Sequence, residues 1–209
     1  MWEKYYSALE QLPRRLRQPV QFIVEALPTF KLCKTESILD LGCGVGRNSI
    51  YLAKENFEVI GVDISLTALK IANKWSKKEK LKNIAFVQAT MTNLPLCDSS
   101  LDAVISVSVI HHAVKKDIVK TIDEVYRLLR KNGFFLANLT SMKDPRHGTG
   151  QKIENSTFLI TEVFEEKRFE EIHHFFTRQE VSKMFKHFSQ VKAELLEDKP
   201  HYWKIAATK

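Results

Sequence analysis

The stretch that decides the fold is ILDLGCGVGRNSIYLA, which runs from Ile38 to Ala53. It begins with a short apolar run, passes through glycines at alternating positions, and continues with the apolar spacing of an amphipathic helix. Glycine adopts positive φ angles readily and has no Cβ to obstruct a ligand, so the turn suits close approach of a ligand to the backbone. The free N–H groups at the start of the following helix favour an anionic group. The stretch therefore predicts a strand, a ligand-binding turn and a helix.

On either side of this stretch, short apolar runs alternate with longer amphipathic segments. Strands are predicted over residues 37–41, 57–62, 84–88, 103–107 and 134–139, and helices over 47–55, 66–77 and 117–129. Near-continuous apolar strands that alternate with helices are typical of a parallel sheet covered on both faces. Gly133 is expected to end the last of these helices. The predicted fold class is α/β, a doubly wound, Rossmann-like and mostly parallel sheet.

The two ends of the chain depart from this alternation. Two short helices are predicted near the N-terminus, and Pro28 is expected to end the second of them. Towards the other end, Thr177 is expected to cap a helix through Lys186, followed by strands over residues 190–195 and 201–207. Because the turn between those strands is short, they must form an antiparallel hairpin, which is expected to close the sheet.

Residues 140–176 separate the fifth predicted strand from the last helix. A connection of this length in a compact domain is usually a functional lid or disordered. We interpret it as a partly structured active-site cover in which residues 157–160 form a strand. The chain is thus expected to be a single domain with N-terminal lid helices (1–30), a cofactor-binding core (36–139), this insert, and a C-terminal helix and hairpin (177–209).

Composition limits the class of protein. The chain has 209 residues, with 32 Lys and Arg against 25 Asp and Glu, and its net charge of +7 permits a nucleic-acid partner without establishing one. No apolar stretch approaches the roughly 20 residues of a bilayer span, and the first residues lack a signal-peptide core. The three cysteines form no C-x-x-C pair, which fits a reducing compartment. We therefore expect a cytoplasmic protein without a membrane partner.

Two carboxylates distinguish the glycine turn from a dinucleotide-binding turn. The glycines follow G-x-G-x-G spacing, and Asp40 comes two residues before the first of them. A carboxylate at that position disfavours a pyrophosphate and suits a cationic amine. Asp63 ends the next predicted strand, where an acidic residue accepts hydrogen bonds from ribose hydroxyls. The pattern therefore suits a cationic amine near Asp40 and ribose hydroxyls near Asp63.

These segments resemble the first two motifs of the class I S-adenosylmethionine-dependent methyltransferases, in particular the methyltransferase type 11-like domain. The resemblance continues in family order through residues 86–113 and 124–137, and it covers residues 36–139. It implies an enzyme that transfers a methyl group from S-adenosylmethionine and releases S-adenosylhomocysteine, with no metal.

The resemblance also implies which residues hold the cofactor. Asp40 and the glycine turn would hold its amino-acid portion, Asp63 the ribose and Ile64 the adenine. The family usually has Gly-Asp-Ala after the third strand, whereas this chain has Ala89-Thr90-Met91, so the hydroxyl of Thr90 and the N–H of Met91 become the adenine contacts. Ser106 would approach the sulfonium. The full set is Asp40, Gly42, Cys43, Gly44, Asp63, Ile64, Thr90, Met91 and Ser106.

The acceptor pocket is expected over the end of the fourth strand, because methyl transfer mainly requires alignment and the exclusion of water. The candidate acceptor-binding residues are Trp2, Tyr5, Tyr6, His111, Arg146 and His173. No catalytic residue is identified, and the candidates for a base, needed only for a protonated acceptor, are His111, His174 and Tyr6. No carboxylate or cysteine lies at ligand spacing from either histidine pair, so no metal site is expected.

Three functions remain open at this point. A small-molecule acceptor is expected, because the main elaboration of the core is a cover-like insert. The net charge favours a tRNA or other RNA methyltransferase as the alternative. In a different class, the domain would bind the cofactor without catalysis, as a regulatory or scaffold subunit. The sequence does not indicate an oligomeric state.

Overall fold

A computed structural model describes residues 1–9, 12–164 and 167–209, without the side chain of Phe164. The helices are α1 (Trp2–Ser7), α2 (Gln21–Leu32), α3 (Arg47–Lys54), α4 (Leu66–Lys78), α5 (Lys115–Leu128) and α6 (Arg178–Met184), with one 3-10 turn at Arg14–Leu16. The strands are β1 (Ser37–Leu41), β2 (Glu58–Asp63), β3 (Ile84–Gln88), β4 (Leu101–Val107), β5 (Leu129–Thr140), β6 (Gln151–Glu154), β7 (Thr157–Phe164), β8 (Lys167–His174), β9 (Gln190–Leu195) and β10 (Tyr202–Thr208). Within these ranges, none of the helices combines the length and apolar character that crossing a bilayer requires.

Seven strands form one sheet in the order β3-β2-β1-β4-β5-β10-β9. The first five strands of the chain pair in parallel, whereas β10 runs antiparallel between β5 and β9. The predicted doubly wound α/β sheet with a closing hairpin is confirmed. The strand order reverses between β1 and β4, and open α/β sheets bind ligands at the carboxyl ends of strands at such a point.

Apolar side chains cover both faces of this sheet. Leu39 and Val104 pack on one face with α5, through residues such as Val125. Ile38 packs on the other face with α2 and α3, as part of a second cluster that includes Ile23. Because successive side chains of a strand point to opposite faces, both layers hold β1 and β4 in place. The strand ends that meet at the reversal are therefore fixed from two sides.

Two expectations about helix ends are wrong. Pro28 lies inside α2, which continues to Leu32, because the buried face of the helix packs on the sheet on both sides of the proline. Gly133 does not end a helix either. The helix α5 stops at Leu128 and β5 begins at the next residue, so Gly133 lies within the strand, where the register with β4 shifts. Packing decides both cases against the local propensities of proline and glycine.

The residues between β5 and α6 fold as a separate three-stranded antiparallel sheet in the order β6-β7-β8. The expected strand over residues 157–160 is confirmed and extends to Phe164. Its neighbour β8 ends against the core, where the N–H of His174 donates to the carbonyl oxygen of His111 at 2.8 Å. Thr177 caps α6 as predicted, by accepting from the N–H of Glu180. The insert sheet is thus bonded to the loop that follows β4.

Candidate active site

The turn between β1 and α3 has the backbone geometry that its glycines predict. Gly42 and Gly44 have φ angles of 70° and 54°. The N–H groups of Gly42 and Cys43 both donate to the carbonyl oxygen of Val62, at 2.7 and 2.9 Å, which joins the turn to β2. A Cβ at Gly42 would overlap the side chain of Val109. The position therefore requires glycine for two independent reasons, its φ angle and its close neighbour.

Asp63, at the end of β2, is held by two backbone donors. Its carboxylate oxygens accept from the N–H of Gly44 and the N–H of Ser65, each at 2.8 Å. The side chain is 8% exposed, and burial raises its pKa. Each carboxylate oxygen can accept a further hydrogen bond, since an ionised carboxylate has about four acceptor sites. Asp63 is thus fixed in place with acceptor capacity left for a ligand such as a ribose diol.

A cavity of about 470 Å³ opens at the carboxyl ends of β1, β2 and β4, within the size range of small-molecule sites. Ile64 is 54% exposed and lies on its wall, where an apolar side chain suits a flat ring. Seven of the nine predicted cofactor residues line this cavity, namely Gly42, Cys43, Gly44, Asp63, Ile64, Thr90 and Met91. The open glycine backbone, the fixed carboxylate and the exposed isoleucine fit the amino-acid, ribose and adenine portions of S-adenosylmethionine.

The structure places Asp40 and Ser106 behind the wall, and neither side chain lines the cavity. Asp40 is 1% exposed and accepts from Ser49 Oγ of α3 at 2.5 Å, and burial raises its pKa to about 6. Ser106 precedes the last residue of β4, so its side chain points to the opposite face from that of Val107. Val107 and Ser108 line the cavity in its place. Among the described residues, Asp40 Oδ1 and Ser106 Oγ are buried without a hydrogen-bond partner.

The helix α1 covers the glycine turn. Its Glu3 carboxylate accepts from Ser65 Oγ at 2.7 Å and from the N–H of Thr67 at 3.2 Å, which attaches α1 to the start of α4. Three predicted acceptor-binding residues of α1 line the cavity, namely Trp2, Tyr5 and Tyr6. The hydroxyl of Tyr6 occupies the space that a Cβ at Gly44 would need. An aromatic roof therefore lies directly over the turn.

The other predicted acceptor and base residues form a largely buried group beside the cavity. His111, His173 and His174 are buried and Arg146 is half-buried, and none of the four lines the cavity. The neighbouring residue of the histidine doublet, His112, does line it, and its ring meets the Trp2 ring edge-on at 5.0 Å between centroids. Sequence offers no signal that separates His111 from His112, since they are adjacent residues of one loop and only the folded structure shows which of them faces the cavity.

Behind His112, the buried group is rich in ionisable side chains. His112 Nδ1 lies 3.3 Å from Glu171 Oε2 and 3.3 Å from the carbonyl oxygen of Ile172. His173 Nε2 lies 2.6 Å from Glu171 Oε1. Arg146 donates to Glu162 Oε1 at 2.6 Å. Glu171 was not among the sequence-based candidates, although the two-residue step from Glu171 to His173 in a strand places both on one face.

Burial determines the protonation of the three base candidates. It raises the pKa of Tyr6, which therefore keeps its hydroxyl proton at neutral pH. It lowers the pKa of His111 and of His174, so both imidazoles are neutral there. It also raises the pKa of the Cys43 thiol, which argues against a thiolate nucleophile in the turn. Of the three candidates, only Tyr6 lies on the cavity wall, and it holds its proton.

The prediction that no metal site forms considers ligand spacing along the sequence alone. In the folded protein, His111, His112 and His173 each place a possible ligand atom within 4.8 Å of the others, and Glu162, Glu171 and His173 do the same. The insert sheet brings Glu162 and the His111-His112 pair to His173, whereas the pairing of Glu171 with His173 follows from their two-residue step in β8.

Comparison with known proteins finds a matching domain family for part of the chain. Residues 38–133 match a methyltransferase domain family. YqeM of Bacillus subtilis is 33% identical over 134 residues, which are 63% of this chain and 47% of YqeM. A fatty-acid O-methyltransferase of Mycolicibacterium smegmatis is 31% identical over 101 residues, which are 47% of this chain and 35% of the relative. The chain spans about half the length of the curated relatives it matches, or less.

Solved structures share the fold. A Methanosarcina mazei S-adenosylmethionine-dependent methyltransferase has a TM-score of 0.74 at 22% identity, over 92% of this chain and 98% of the other. A Burkholderia thailandensis 1,6-didemethyltoxoflavin N1-methyltransferase, solved with 1,6-didemethyltoxoflavin and S-adenosylhomocysteine, has a TM-score of 0.62 at 17% identity, over 90% of this chain and 78% of the other. The matched domain, the fold and the glycine turn with its paired Asp63 agree, and the chain is similar to the class I S-adenosylmethionine-dependent methyltransferases.

Proposed function

We propose that the protein transfers a methyl group from S-adenosylmethionine to a small-molecule acceptor. The observation that carries the proposal is the continuity of one cavity. Its wall runs from the glycine turn and Asp63, through the end of β4, to the aromatic side chains of α1. A ligand held by the turn and an acceptor held by the roof would therefore share one enclosed space, as transfer between them requires.

Some residues of the chain would hold the cofactor, and others would enclose the acceptor. Asp63 and the N–H groups of the turn would hold the nucleoside and amino-acid portions, and the buried Asp40 would add negative charge near the cationic amine. The sulfonium of S-adenosylmethionine supplies a methyl group that is already activated. The protein therefore needs to align the acceptor with it and keep water away. Trp2, Tyr5 and Tyr6 supply apolar contact for an acceptor under the roof.

A small molecule is favoured over RNA by the shape of this space. The relatives include enzymes named for a fatty acid and for 1,6-didemethyltoxoflavin, which supports small acceptors within the family. An RNA base would have to be extruded from its strand to pass beneath α1. The net charge of +7 is the one feature that favours RNA.

The test uses S-adenosylmethionine with a radiolabelled methyl group. The protein is incubated with a soluble metabolite extract and, separately, with bulk tRNA, and label is counted in the small-molecule and the acid-precipitable fractions. Label in the small-molecule fraction supports the proposal. Label in tRNA alone contradicts the choice of acceptor, and cofactor binding without any transfer favours a regulatory or scaffold role.

A further inference from the structure

The residue of the cavity wall best placed to accept a proton is His112. The side chain is 10% exposed, and its ring lies against Trp2 of the roof. Its Nδ1 faces two acceptors of the insert sheet, the Ile172 carbonyl oxygen and Glu171 Oε2, each at 3.3 Å. An imidazole that faces two acceptors through Nδ1 carries its proton there, which leaves the lone pair on Nε2.

Glu171 is held so that its charge lies behind this ring. One oxygen, Oε1, is bonded to His173 Nε2 at 2.6 Å. The other oxygen, Oε2, is the one 3.3 Å from His112, and it is buried without a hydrogen-bond partner among the described residues. Protonation of His112 at Nε2 would place a positive charge beside this carboxylate and neutralise it. This is the arrangement by which a carboxylate orients a catalytic histidine and stabilises its protonated form.

We propose that His112 is the general base for methyl transfer to a hydroxyl group, and that Glu171 is the residue that positions it. The proposal rests on the methyltransferase activity proposed above and names the acceptor class of that site. A hydroxyl must lose its proton as it is methylated, whereas a carboxylate has no proton to lose at neutral pH. The apolar and aromatic wall around His112 favours a hydroxyl on a planar ring, as in a phenol.

The step balances without a further reactant. A lone pair of the acceptor oxygen forms the bond to the methyl carbon, and the carbon–sulfur bond breaks with its electrons left on sulfur. The O–H proton moves to His112 Nε2, and the imidazolium donates through Nδ1 to Glu171. Release of the proton to solvent restores the neutral ring.

Burial keeps His112 in its neutral, basic form, with charged and titratable groups on several sides of the ring. Glu171 and His173 face it from β8, His111 from its own loop, and Arg146 from the segment after β5, while Asp117 of α5 lies on the cavity wall. Burial lowers the pKa of His112 to about 4, and Glu171 opposes that change. The ring is therefore neutral at physiological pH and ready to accept a proton.

Two distances favour a hydrogen-bonded pair over a metal ion in the cluster of Glu162, Glu171 and His173. Ligand atoms about 2.0–2.2 Å from a zinc ion in tetrahedral arrangement lie more than 3 Å from each other. The 2.6 Å separation of His173 Nε2 and Glu171 Oε1 is shorter than this and matches a direct hydrogen bond. Glu162 is already paired with Arg146 at 2.6 Å.

The first test observes the tautomer and the titration of the His112 imidazole directly and needs no acceptor. In protein with ¹⁵N-labelled histidine, long-range ¹H–¹⁵N spectra distinguish the two tautomers, and His112→Asn identifies the signal. We expect the Nδ1–H tautomer across the neutral range, with titration well below the ordinary value of 6.5. In Glu171→Gln the titration should move lower still. An Nε2–H tautomer, or one metal ion per chain in the purified protein by mass spectrometry, would overturn the proposal.

The second test uses two phenols as acceptors, 4-methoxyphenol and 4-nitrophenol. His112→Asn keeps a donor near Nδ1 and lacks the proton acceptor, so kcat with un-ionised 4-methoxyphenol should fall about 100-fold or more. The loss should shrink for 4-nitrophenol at mildly alkaline pH, because that phenol has already lost its proton. Glu171→Gln should lower kcat with little change in KM, and Glu171→Asp should restore part of it. His187→Asn, at an exposed histidine in the turn between α6 and β9, serves as the control.

The outcomes separate the two proposals. Failure to bind S-adenosylmethionine would remove the proposed function itself. Binding with no methylation of either phenol, or equal loss for both phenols in His112→Asn, would leave the methyltransferase proposal standing and contradict the role of His112.

Discussion

At the glycine turn, chain geometry and ligand access depend on the same residues. Gly42 combines a φ of 70° with a neighbouring Val109 side chain that leaves no room for a Cβ. Gly44 donates its N–H to Asp63 and lies beneath the hydroxyl of Tyr6. A substitution here therefore acts on folding and on binding together.

We expect Gly42→Ala to lower the free energy of unfolding by about 2–4 kcal/mol, from the positive φ and from overlap with Val109. Binding of S-adenosylhomocysteine should be lost in the fraction that remains folded. Gly148→Ala is a matched control, since Gly148 has a φ of 82° but no atom within 4 Å of its Cβ position. Urea unfolding measures the stability of both variants, and calorimetric titration measures their ligand binding. Equal effects of the two substitutions would refute the role given to Val109.

Unlike the glycine substitution, a substitution of Asp40 is expected to raise stability while it weakens cofactor binding. Burial raises its pKa from 3.8 to about 6, so its charged form opposes folding once the pH exceeds that value. Asp40→Asn should therefore gain stability as the pH rises through this window, by up to about 3 kcal/mol at neutral pH and above. Cofactor affinity should fall in the same variant. The measurement is urea unfolding at about pH 4.5 and about pH 8, with Asp123→Asn as the control because Asp123 is exposed. An Asp40→Asn protein that is less stable than wild type at the higher pH would contradict the expectation.

Among the elements, α1 combines shallow burial with direct contact to the cavity. It has no buried residue, and its polar contacts include those of Glu3 and Ser7 with Ser65 and Thr67 at the start of α4, and that of Tyr5 with Arg15. A short helix held mainly by exposed hydrogen bonds opens at little cost. Its aromatic residues nevertheless form the roof of the cavity, so opening of α1 would admit and release ligands.

We therefore expect Glu3→Gln to speed dissociation of S-adenosylhomocysteine by about 2- to 10-fold, the equivalent of one weakened hydrogen-bond set. Unfolding free energy should change by no more than about 0.5 kcal/mol. Lys4→Gln, on the same helix and exposed, is the control. Stopped-flow displacement measures the rate, and an unchanged rate in Glu3→Gln would show that α1 does not control exit from the cavity.

For the molecule as a whole, the buried histidines set the response to acid. The pKa of His112 is lowered to about 4 from 6.5, and burial lowers those of His111 and His174 as well. Between these values the unfolded chain binds protons that the folded chain does not, so stability falls as the pH falls through this range. Asp40 and Asp63, whose pKa values are raised, act in the opposite direction.

With three histidines against two carboxyls, the net expectation is a urea midpoint that drops steadily from about pH 7 to about pH 5. His174→Gln, which removes one buried imidazole, should make that drop shallower, and His187→Gln should not. A midpoint that stayed constant or rose towards acid would mean that the carboxyls dominate.

Most of the sheet could be predicted from sequence because its strands are continuous apolar runs that need no partner to be recognised. The strands Ser37–Leu41, Ile84–Gln88 and Gln190–Leu195 agree with their predicted bounds. The glycine turn and Asp63 were also accessible, since φ and strand-end position follow from residue type. Ser106 was wrongly predicted to face the cofactor because successive residues of a strand point to opposite faces, and an error of one residue reverses the face.

The acceptor side could not be predicted in the same way. His112 and Glu171 meet only because the insert folds into a sheet and returns to the loop after β4, about 60 residues later in the chain, a pairing that local pattern does not encode. Two of the insert strands, Gln151–Glu154 and Lys167–His174, are rich in polar side chains, so their apolar alternation is weak.

The most direct test of the account is calorimetric titration of S-adenosylmethionine and S-adenosylhomocysteine into the wild-type protein and Asp63→Asn. The account predicts one site per chain in the wild type. In Asp63→Asn affinity should be weaker by about 10- to 100-fold, because hydrogen bonds to a charged group contribute about 1.5–3 kcal/mol. Asp123→Asn should bind as the wild type does. No binding to the wild-type protein, or equal affinity in Asp63→Asn, would contradict the cofactor site described above.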